Sequence, residues 1–290
     1  MTSGRVLRTV VMAALLLAAA LISPGVARDE PSASMRSGGA TMAAPRYSWG
    51  AAVYDFAWEY GESLTDKPYR GTRRQGQWVD VSDGSGRAAR HNAGLMLASK
   101  YGRVVPGDAG PGDHGTTSAT LQGNAQTYGR WELRIRPWSI ETSAKNYRVK
   151  FELVPEDPAQ RLCGARSITV ADLTPRRPQV KIGAFNPDGR AWRRTVQSGP
   201  LARVSRAYAV EVAKNHISWF LDGKIIGTVR AAAAIPRVPL TVRLSLVGSG
   251  QAEMNHTYAI MDWIRAYGID RGQHPTNGAR LTAGRHNRHC

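Results

Sequence analysis

The sequence predicts an all-β domain built as a two-sheet β-sandwich of the jelly-roll type. Three observations lead to this fold class. Apolar residues recur at every second position through much of the stretch from Tyr47 to Asp270, no segment carries a convincing helical stripe, and thirty Gly and sixteen Pro supply turns along the chain. So many strands, joined without helices, need two stacked sheets to bury their apolar faces.

Alternation defines the individual strands in order. In residues 128–136, Trp131, Leu133 and Ile135 share one face of a strand, and the charged residues between them share the other. The same pattern predicts later strands at residues 147–153, 217–221, 224–229 and 241–246. Asp222-Gly223 joins two of these strands as a tight hairpin, because both residue types readily adopt positive φ.

The first 27 residues predict a secretory signal peptide. Arg5 and Arg8 precede thirteen apolar residues from Val10 to Ile22, and small residues follow up to Ala27. Thirteen residues are too few for a membrane-spanning helix, which needs roughly 20. We therefore expect cleavage near Ala27, a secreted or cell-envelope protein, and no stable membrane span after cleavage.

The remaining chain divides into three parts by composition. Residues 28–46 contain almost no large apolar side chains and predict a flexible linker, which places the folded domain at residues 47–270. Residues 271–290 carry four Arg, three His and no acid, and predict a basic disordered tail. Cys163 and Cys290 could form one disulfide, but because Cys290 ends an unanchored tail we favour independent thiols or a transient pairing.

The charge balance points to an anionic partner. Thirty-nine Lys and Arg against 22 Asp and Glu give a net charge of +17, and loss of Arg5 and Arg8 with the signal leaves 17 − 2 = +15. Anionic polysaccharides suit an exported chain, whereas the sequence lacks any nucleic-acid-binding motif and predicts no nucleic-acid partner. We expect a monomer that needs no cofactor.

Several segments, in this order, resemble the family 16 glycoside hydrolases, which are laminarinase- and lichenase-like enzymes that cut β-glucans and some algal galactans. The resemblance covers most of residues 47–270, and it implies a concanavalin A-like jelly roll with a groove for polysaccharide. It rests on six segments: residues 94–97 (GLML), 128–134 (YGRWELR), 207–211 (AYAVE), 217–224 (ISWFLDGK), 239–244 (PLTVRL) and 261–267 (MDWIRAY).

The family's catalytic strand carries Glu-x-Asp-x-x-Glu, and the matching segment here is residues 167–172 (SITVAD). The resemblance implies that the nucleophile position falls on Ser167, the assisting position on Thr169 and the acid/base position on Asp172. A retaining glycosidase needs two carboxyl groups roughly 5 to 5.5 Å apart, and a hydroxyl with no neighbouring base does not replace one. The expectation is lost or impaired hydrolysis.

Other residues are candidates for holding a sugar. Aromatic rings stack on pyranose faces, and arginines bind carboxylate or sulfate groups. We predict substrate contacts from Trp138, Trp192, Arg190, Arg193 and Glu152, with Trp49, Trp58 and Trp78 as further groove candidates. No metal ligand set is expected, because the ending His286-x-x-His289-Cys290 lacks a second ligand pair.

Two functions remain open. The first is a polysaccharide-binding protein without hydrolysis, which the lost carboxylates favour. The alternative is an active endo-β-glucanase or galactanase whose catalytic strand has a different register from the one above, or whose nucleophile comes from elsewhere, for example from Glu152 paired with Asp172.

Overall fold

Sixteen strands and three short helices make up the described part of the chain. The computed structural model describes residues 42–57, 77–82, 86–90, 94–99, 115–139, 145–250 and 254–286. The strands are β1 (Ala52–Phe56), β2 (Gln77–Ser82), β3 (Arg87–Arg90), β4 (Leu95–Ala98), β5 (Thr117–Gln122), β6 (Gly129–Ser139), β7 (Arg148–Pro155), β8 (Ile168–Leu173), β9 (Gln179–Phe185), β10 (Arg190–Gln197), β11 (Arg206–Val212), β12 (Ile217–Leu221), β13 (Lys224–Val229), β14 (Leu240–Val247), β15 (Thr257–Tyr267) and β16 (Thr282–Arg285). The helices are α1 (Ala43–Arg46) and two 3-10 turns, Pro158–Gly164 and Ala232–Ala234.

The strands form two antiparallel sheets. The front sheet has the order β16-β10-β9-β8-β7-β14-β5-β2. The back sheet has the order β13-β12-β11-β6-β15-β4-β3, and β1 pairs with β15. Most neighbours in space are not neighbours in sequence, as in a jelly roll. The predicted all-β, two-sheet sandwich is confirmed.

The core lies between the sheets, and alternation places its residues there. Trp131, Leu133 and Ile135 of β6 are fully buried, as the sequence predicts. From β12, Trp219 reaches across the core and donates its indole N–H to the carbonyl of Thr169 on β8, at 2.9 Å. The back sheet thereby contacts the strand that carries the candidate site.

The hairpin between β12 and β13 is also confirmed. Asp222 and Gly223 have φ values of 48° and 68°, the left-handed conformations that a two-residue turn requires. A Cβ on Gly223 would lie 2.8 Å from the carbonyl oxygen of Met42, so only glycine allows this approach.

Residues 42–46, which the sequence assigns to the flexible linker, belong to the fold. Glu132, on the outer face of β6, accepts hydrogen bonds from the backbone N–H groups of Ala43 and Ala44, and this anchors α1. Trp49 packs edge-on against Phe220 and against Tyr267. The predicted linker is therefore five residues too long at its end. The signal peptide and the rest of the linker lie outside the described residues.

The prediction of a disordered tail is wrong for residues 271–286. Arg130, fully buried, donates hydrogen bonds to the carbonyl oxygens of Arg271 and Gln273. Further along, β16 pairs with the edge strand β10 of the front sheet. The composition of this segment did not predict its ordered structure, because the contacts that hold it use backbone atoms. Within the described residues, no helix has the length and apolar character to cross a bilayer.

Candidate functional site

A β-bulge in β8 shapes the candidate site. Lys150 lies opposite Asp172, and Glu152 lies opposite Thr169, so β8 holds one residue more than β7 between these pairs. Val170 and Ala171 both pack in the core, whereas Thr169 and Asp172 line a cleft on the outer face of the front sheet. The bulge therefore returns Asp172 to the face that carries Thr169.

Two clefts adjoin on this face. The first, about 460 Å³, is lined by Thr169, Asp172 and Arg193 together with Arg148, Lys150 and Lys181. The second, about 260 Å³, is lined by Glu152, Ser167, Thr169 and Arg193 together with Cys163 and His286. We call the pair the front cleft. It brings together five of the residues that the sequence singles out: Ser167, Thr169, Asp172, Glu152 and Arg193.

The hydroxyl of Ser167 is hydrogen-bonded within the turn that precedes β8. Ser167 is 3% exposed, and its hydroxyl donates to the carbonyl oxygen of Gly164 at 2.5 Å. Thr169, the next residue on this face, is 6% exposed. Neither side chain is a carboxylate, and the hydroxyl proton of Ser167 is directed at a backbone carbonyl rather than at a base.

Asp172 is a half-buried carboxyl group. Burial raises its pKa, and the positive charges of Arg148, Lys150 and Lys181 offset this only in part. The negative charge of Glu152 raises it further, so the two carboxyls interact. The nearest ion pair is to Arg148, at 3.6 Å. Asp172 is thus suited to holding a proton.

Glu152 has the opposite environment. Burial alone would raise its pKa, but ion pairs with Lys150 and Arg243 outweigh burial and hold the pKa below its usual value. Lys150 binds Oε1 at 2.5 Å, and Arg243 of β14 binds Oε2 at 3.1 Å. Both oxygens of this carboxylate are therefore engaged by cations.

Cations outnumber carboxylates in and beside the front cleft. Six positive side chains line the first cleft or contact Glu152, namely Arg148, Lys150, Lys181, Arg193, Arg194 and Arg243. The guanidinium of Arg193 lies 4.9 Å from the ring centre of Phe185, a cation–π contact that orients it. The sequence did not single out Arg148, Lys150, Lys181 and Arg243 as site residues. Their alternation with buried apolar residues was the signal, but it could not say which face of the sheet forms a cleft.

The structure corrects the predicted aromatic contacts. Trp138 lies on β6 of the back sheet, where it packs against Tyr258 and beneath the guanidinium of Arg203. Trp192 is 7% exposed and belongs to the main hydrophobic core, as does Trp78. Trp49 is buried in a separate cluster with Phe220 and Tyr267. Trp58 lies outside the described residues. Alternation reverses direction between adjacent residues, so Trp192 faces inward while Arg193 faces the front cleft.

Arg190 lies at the start of β10, opposite Arg285, and it is exposed rather than among the residues lining the front cleft. Cys163 is disulfide-bonded, which corrects the expectation of independent thiols. The other cysteine of the chain, Cys290, lies outside the described residues.

Comparison with solved structures identifies the fold. The laminarinase catalytic domain from Thermotoga maritima aligns with a TM-score of 0.58 at 13% identity, over 76% of this chain and 99% of that one. The endo-β-1,3-glucanase from Pyrococcus furiosus aligns with a TM-score of 0.56 at 12% identity, over 76% and 95%. A non-specific endo-β-1,3(4)-glucanase from family 16 of the glycoside hydrolases aligns with a TM-score of 0.52 at 12% identity, over 75% and 90%.

These alignments confirm the predicted fold, a family 16-like jelly roll. No protein-family model matches the sequence, and no curated protein is significantly similar to it. At such low identity the likeness concerns the backbone, so the chemistry has to be argued from the residues of the front cleft.

Proposed function

We propose that this protein is a secreted polysaccharide-binding protein in which a family 16-like jelly roll no longer hydrolyses its ligand. One observation carries the proposal. The position that the resemblance assigns to the nucleophile is Ser167, whose hydroxyl donates to the carbonyl of Gly164, and the neighbouring carboxylate Glu152 is ion-paired through both of its oxygens.

The loss of hydrolysis follows from what a retaining mechanism requires. One carboxylate must attack the anomeric carbon with a free oxygen, while a second carboxyl donates a proton. Asp172 meets the second requirement through its raised pKa. The first requirement has no free group, because Lys150 would have to leave Glu152 and expose a buried charge.

An anionic polysaccharide is the ligand class that the charges support. Lys181 is exposed in the front cleft, and Arg193 is held there over Phe185. Neither residue is needed to neutralise Glu152 or to make the direct ion pair with Asp172. Arginine and lysine in this position suit carboxylate or sulfate groups spaced along a glycan.

Export is supported by two features. The leader-like segment at residues 1–27 has the layout of a signal peptide. Cys163 is disulfide-bonded, which is typical of oxidising compartments.

A glycan ligand is also in keeping with the aligned structures. Among them are enzymes that act on glycans, including endo-acting O-glycanases that initiate mucin breakdown, with a TM-score of 0.53.

A binding experiment tests the ligand class. The chain from Arg28 onward is titrated with polygalacturonate, alginate and a sulfated galactan, and with laminarin, lichenan and agarose as neutral glycans. We expect binding to at least one anionic glycan that weakens as salt is raised from about 50 to 500 mM, since screening reduces charge attraction.

Matched variants locate the binding face. Lys181→Glu and Arg193→Glu should weaken binding at least about tenfold, because each reverses a charge in the front cleft. Arg136→Glu makes the same charge change on the exposed outer face of β6 and should leave binding unchanged. Equal losses in all three variants, or tighter binding to duplex DNA than to any glycan, would contradict the proposal.

A second candidate is an active endo-β-glucanase or galactanase. It is favoured by the opposed pKa shifts of Glu152 and Asp172, the pattern of a nucleophile and a proton donor. A reducing-sugar assay on laminarin, lichenan and agarose separates the two functions. Binding without product supports the first, whereas product release that disappears in both Glu152→Gln and Asp172→Asn establishes the second.

A further inference from the structure

A cluster of metal-ligand type lies on the back sheet, away from the front cleft. Glu211 is on the outer face of β11, His216 precedes β12, and His274 follows β15 in the segment that covers the back sheet. One nitrogen or carboxylate oxygen from each residue lies within 4.8 Å of those of the other two. Among the described residues, this is the group of histidines and carboxylates that converges in this way.

The geometry is close to that of a zinc site. His216 Nε2 is 2.7 Å from Glu211 Oε1, and His274 Nδ1 is 3.1 Å from Glu211 Oε2. The two imidazole planes cross at 82°, so both rings can direct a nitrogen at one point. In tetrahedral zinc with bonds of about 2.0–2.1 Å, ligand atoms are about 3.3 Å apart, so separations that now reach up to 4.8 Å have to close by at most about 1.5 Å.

His216 also has the outer contact that metal-bound histidines require. Its Nδ1 lies 2.8 Å from Asn215 Oδ1, an acceptor, while its Nε2 faces a carboxylate oxygen. A neutral imidazole has only one N–H, so one of its nitrogens would direct a lone pair at an oxygen. With Nδ1–H donating to Asn215, a cation between Nε2 and Glu211 removes that repulsion.

Arg130 restricts where a metal fits. Its Nε donates to Glu211 Oε2 at 2.5 Å, which leaves Oε1 for a metal, and its Nη2 lies 2.9 Å from His274 Nδ1. Metal binding would replace that last contact, while Arg130 keeps its bonds to the carbonyls of Gly268 and Gln273. Two of the three donors are imidazole nitrogens, which disfavours Ca²⁺ and Mg²⁺, since these need many oxygen ligands, and favours a metal that binds imidazole strongly.

A fourth ligand has room to enter. A cleft of about 480 Å³ opens over His216 and His274 and is lined also by Tyr128, Arg230 and Thr276. The His274 side chain is 42% exposed to it. Three protein ligands and one water from this cleft would complete a four-coordinate site.

We propose that Glu211, His216 and His274 bind a zinc ion. The ion fastens the segment around His274 to the back sheet, since His274 lies 58 residues beyond His216 in sequence but shares its carboxylate partner. This site is separate from the front cleft, so the zinc proposal can be tested independently of the proposed function.

The test is a calorimetric titration of the metal-free, untagged chain from Arg28 onward with ZnCl₂ at pH 7.5. We expect one equivalent of zinc to bind, with a rise in Tm that CaCl₂ does not reproduce. His274→Ala and His216→Ala should each abolish both effects. His274 is the cleaner variant because it is partly exposed, and its circular dichroism should remain that of the wild type.

His286→Ala is the matched control. It removes a histidine from the same C-terminal region and should bind zinc as the wild type does. Zinc binding that disappears in His286→Ala but persists in His274→Ala would place the metal at the C-terminus and overturn the proposal. The absence of binding by the wild-type chain would overturn it as well.

Discussion

At the scale of single residues, charge neutralisation decides what the front cleft can do. Glu152 and Asp172 lie on one face of the front sheet, yet their surroundings shift their pKa values in opposite directions. Lys150 and Arg243 bind Glu152 directly and outweigh its burial, whereas Lys150 reaches Asp172 only through its field and burial prevails there. Two cations thus keep the Glu152 carboxylate ionised and bind both of its oxygens.

Removing this lysine should destabilise the protein at neutral pH. In Lys150→Met the buried Glu152 keeps only Arg243, and an under-compensated buried charge costs about 1–3 kcal/mol of unfolding free energy. The low folded pKa of Glu152 stabilises the wild type above about pH 4.5, and this contribution is lost as the pH falls through that folded value. The deficit of the variant should therefore shrink toward pH 4.

Urea unfolding of Lys150→Met at pH 7 and pH 4 measures this deficit. Lys181→Met removes an exposed lysine from the same cleft and should cost little at either pH. A loss in Lys150→Met that is independent of pH would show that the lysine acts through packing rather than through Glu152.

For Glu132 we expect the opposite dependence of stability on pH. Burial raises its pKa to about 7, although hydrogen bonds from Ala43 and Ala44 and the charge of Arg265 act against burial. In the unfolded chain the group ionises near pH 4.5, so stability falls as the pH rises from about 4.5 to about 7 and does not recover above it. A shift of this size corresponds to about 3 kcal/mol at most.

Glu132→Gln should remove that part of the slope. The unfolding free energy of the variant should rise relative to that of the wild type between pH 4.5 and pH 7.5, because an amide fills the same space without the buried charge. Unfolding free energies of both proteins across this range provide the measurement. Parallel profiles would mean that Glu132 is ionised in the folded protein throughout.

At the scale of the elements, the bulge of β8 decides which of its residues face the front cleft. Val170 and Ala171 both turn to the core, and Asp172 returns to the face of Thr169. The bulge packs Val170 and Ala171 side by side in the core, and the carbonyl of Thr169 beside it accepts the hydrogen bond from Trp219.

The disulfide at Cys163 lies in the turn that follows β7. Because Cys290 is the only other cysteine, we expect peptide mapping to find Cys163 joined to Cys290, which closes a loop of 290 − 163 = 127 residues. Cys163→Ser should lower the unfolding free energy by about 2–4 kcal/mol, as expected for a long loop. Thiol titration of the denatured, unreduced chain should find no free thiol, and finding two would refute the pairing.

At the scale of the whole molecule, the C-terminal segment is part of the fold. Arg130 and Glu211 are both fully buried, and the segment supplies the carbonyls and His274 that surround them. Without it, a buried ion pair would lose part of its hydrogen bonding, and the edge strand β10 would lose its partner β16.

Limited proteolysis tests this role. Residues 271–286 should resist trypsin in the folded protein even though the segment contains Arg271, Arg280 and Arg285. A chain ending at Asp270 should be less stable by several kcal/mol or insoluble, because both the ion pair and the sheet edge are exposed. Rapid cleavage after Arg271, with the remainder of the domain intact and equally stable, would restore the prediction of a disordered tail.

The sequence alone predicted the fold class, and it shows that Ser167 and Thr169 are not carboxylates. Alternation with a period of two depends only on local backbone geometry, so it predicted the strands, their buried faces and the hairpin at Asp222-Gly223. The spacing of Ser167 and Thr169 likewise placed these two residues on one face, whereas the bulge that returns Asp172 to that face is a feature of the structure. Only the tertiary structure decided which cations bind Glu152, which tryptophans face inward, and how residues 271–286 dock. These contacts join positions far apart in the chain, such as Arg243 and Glu152, and no local pattern records them.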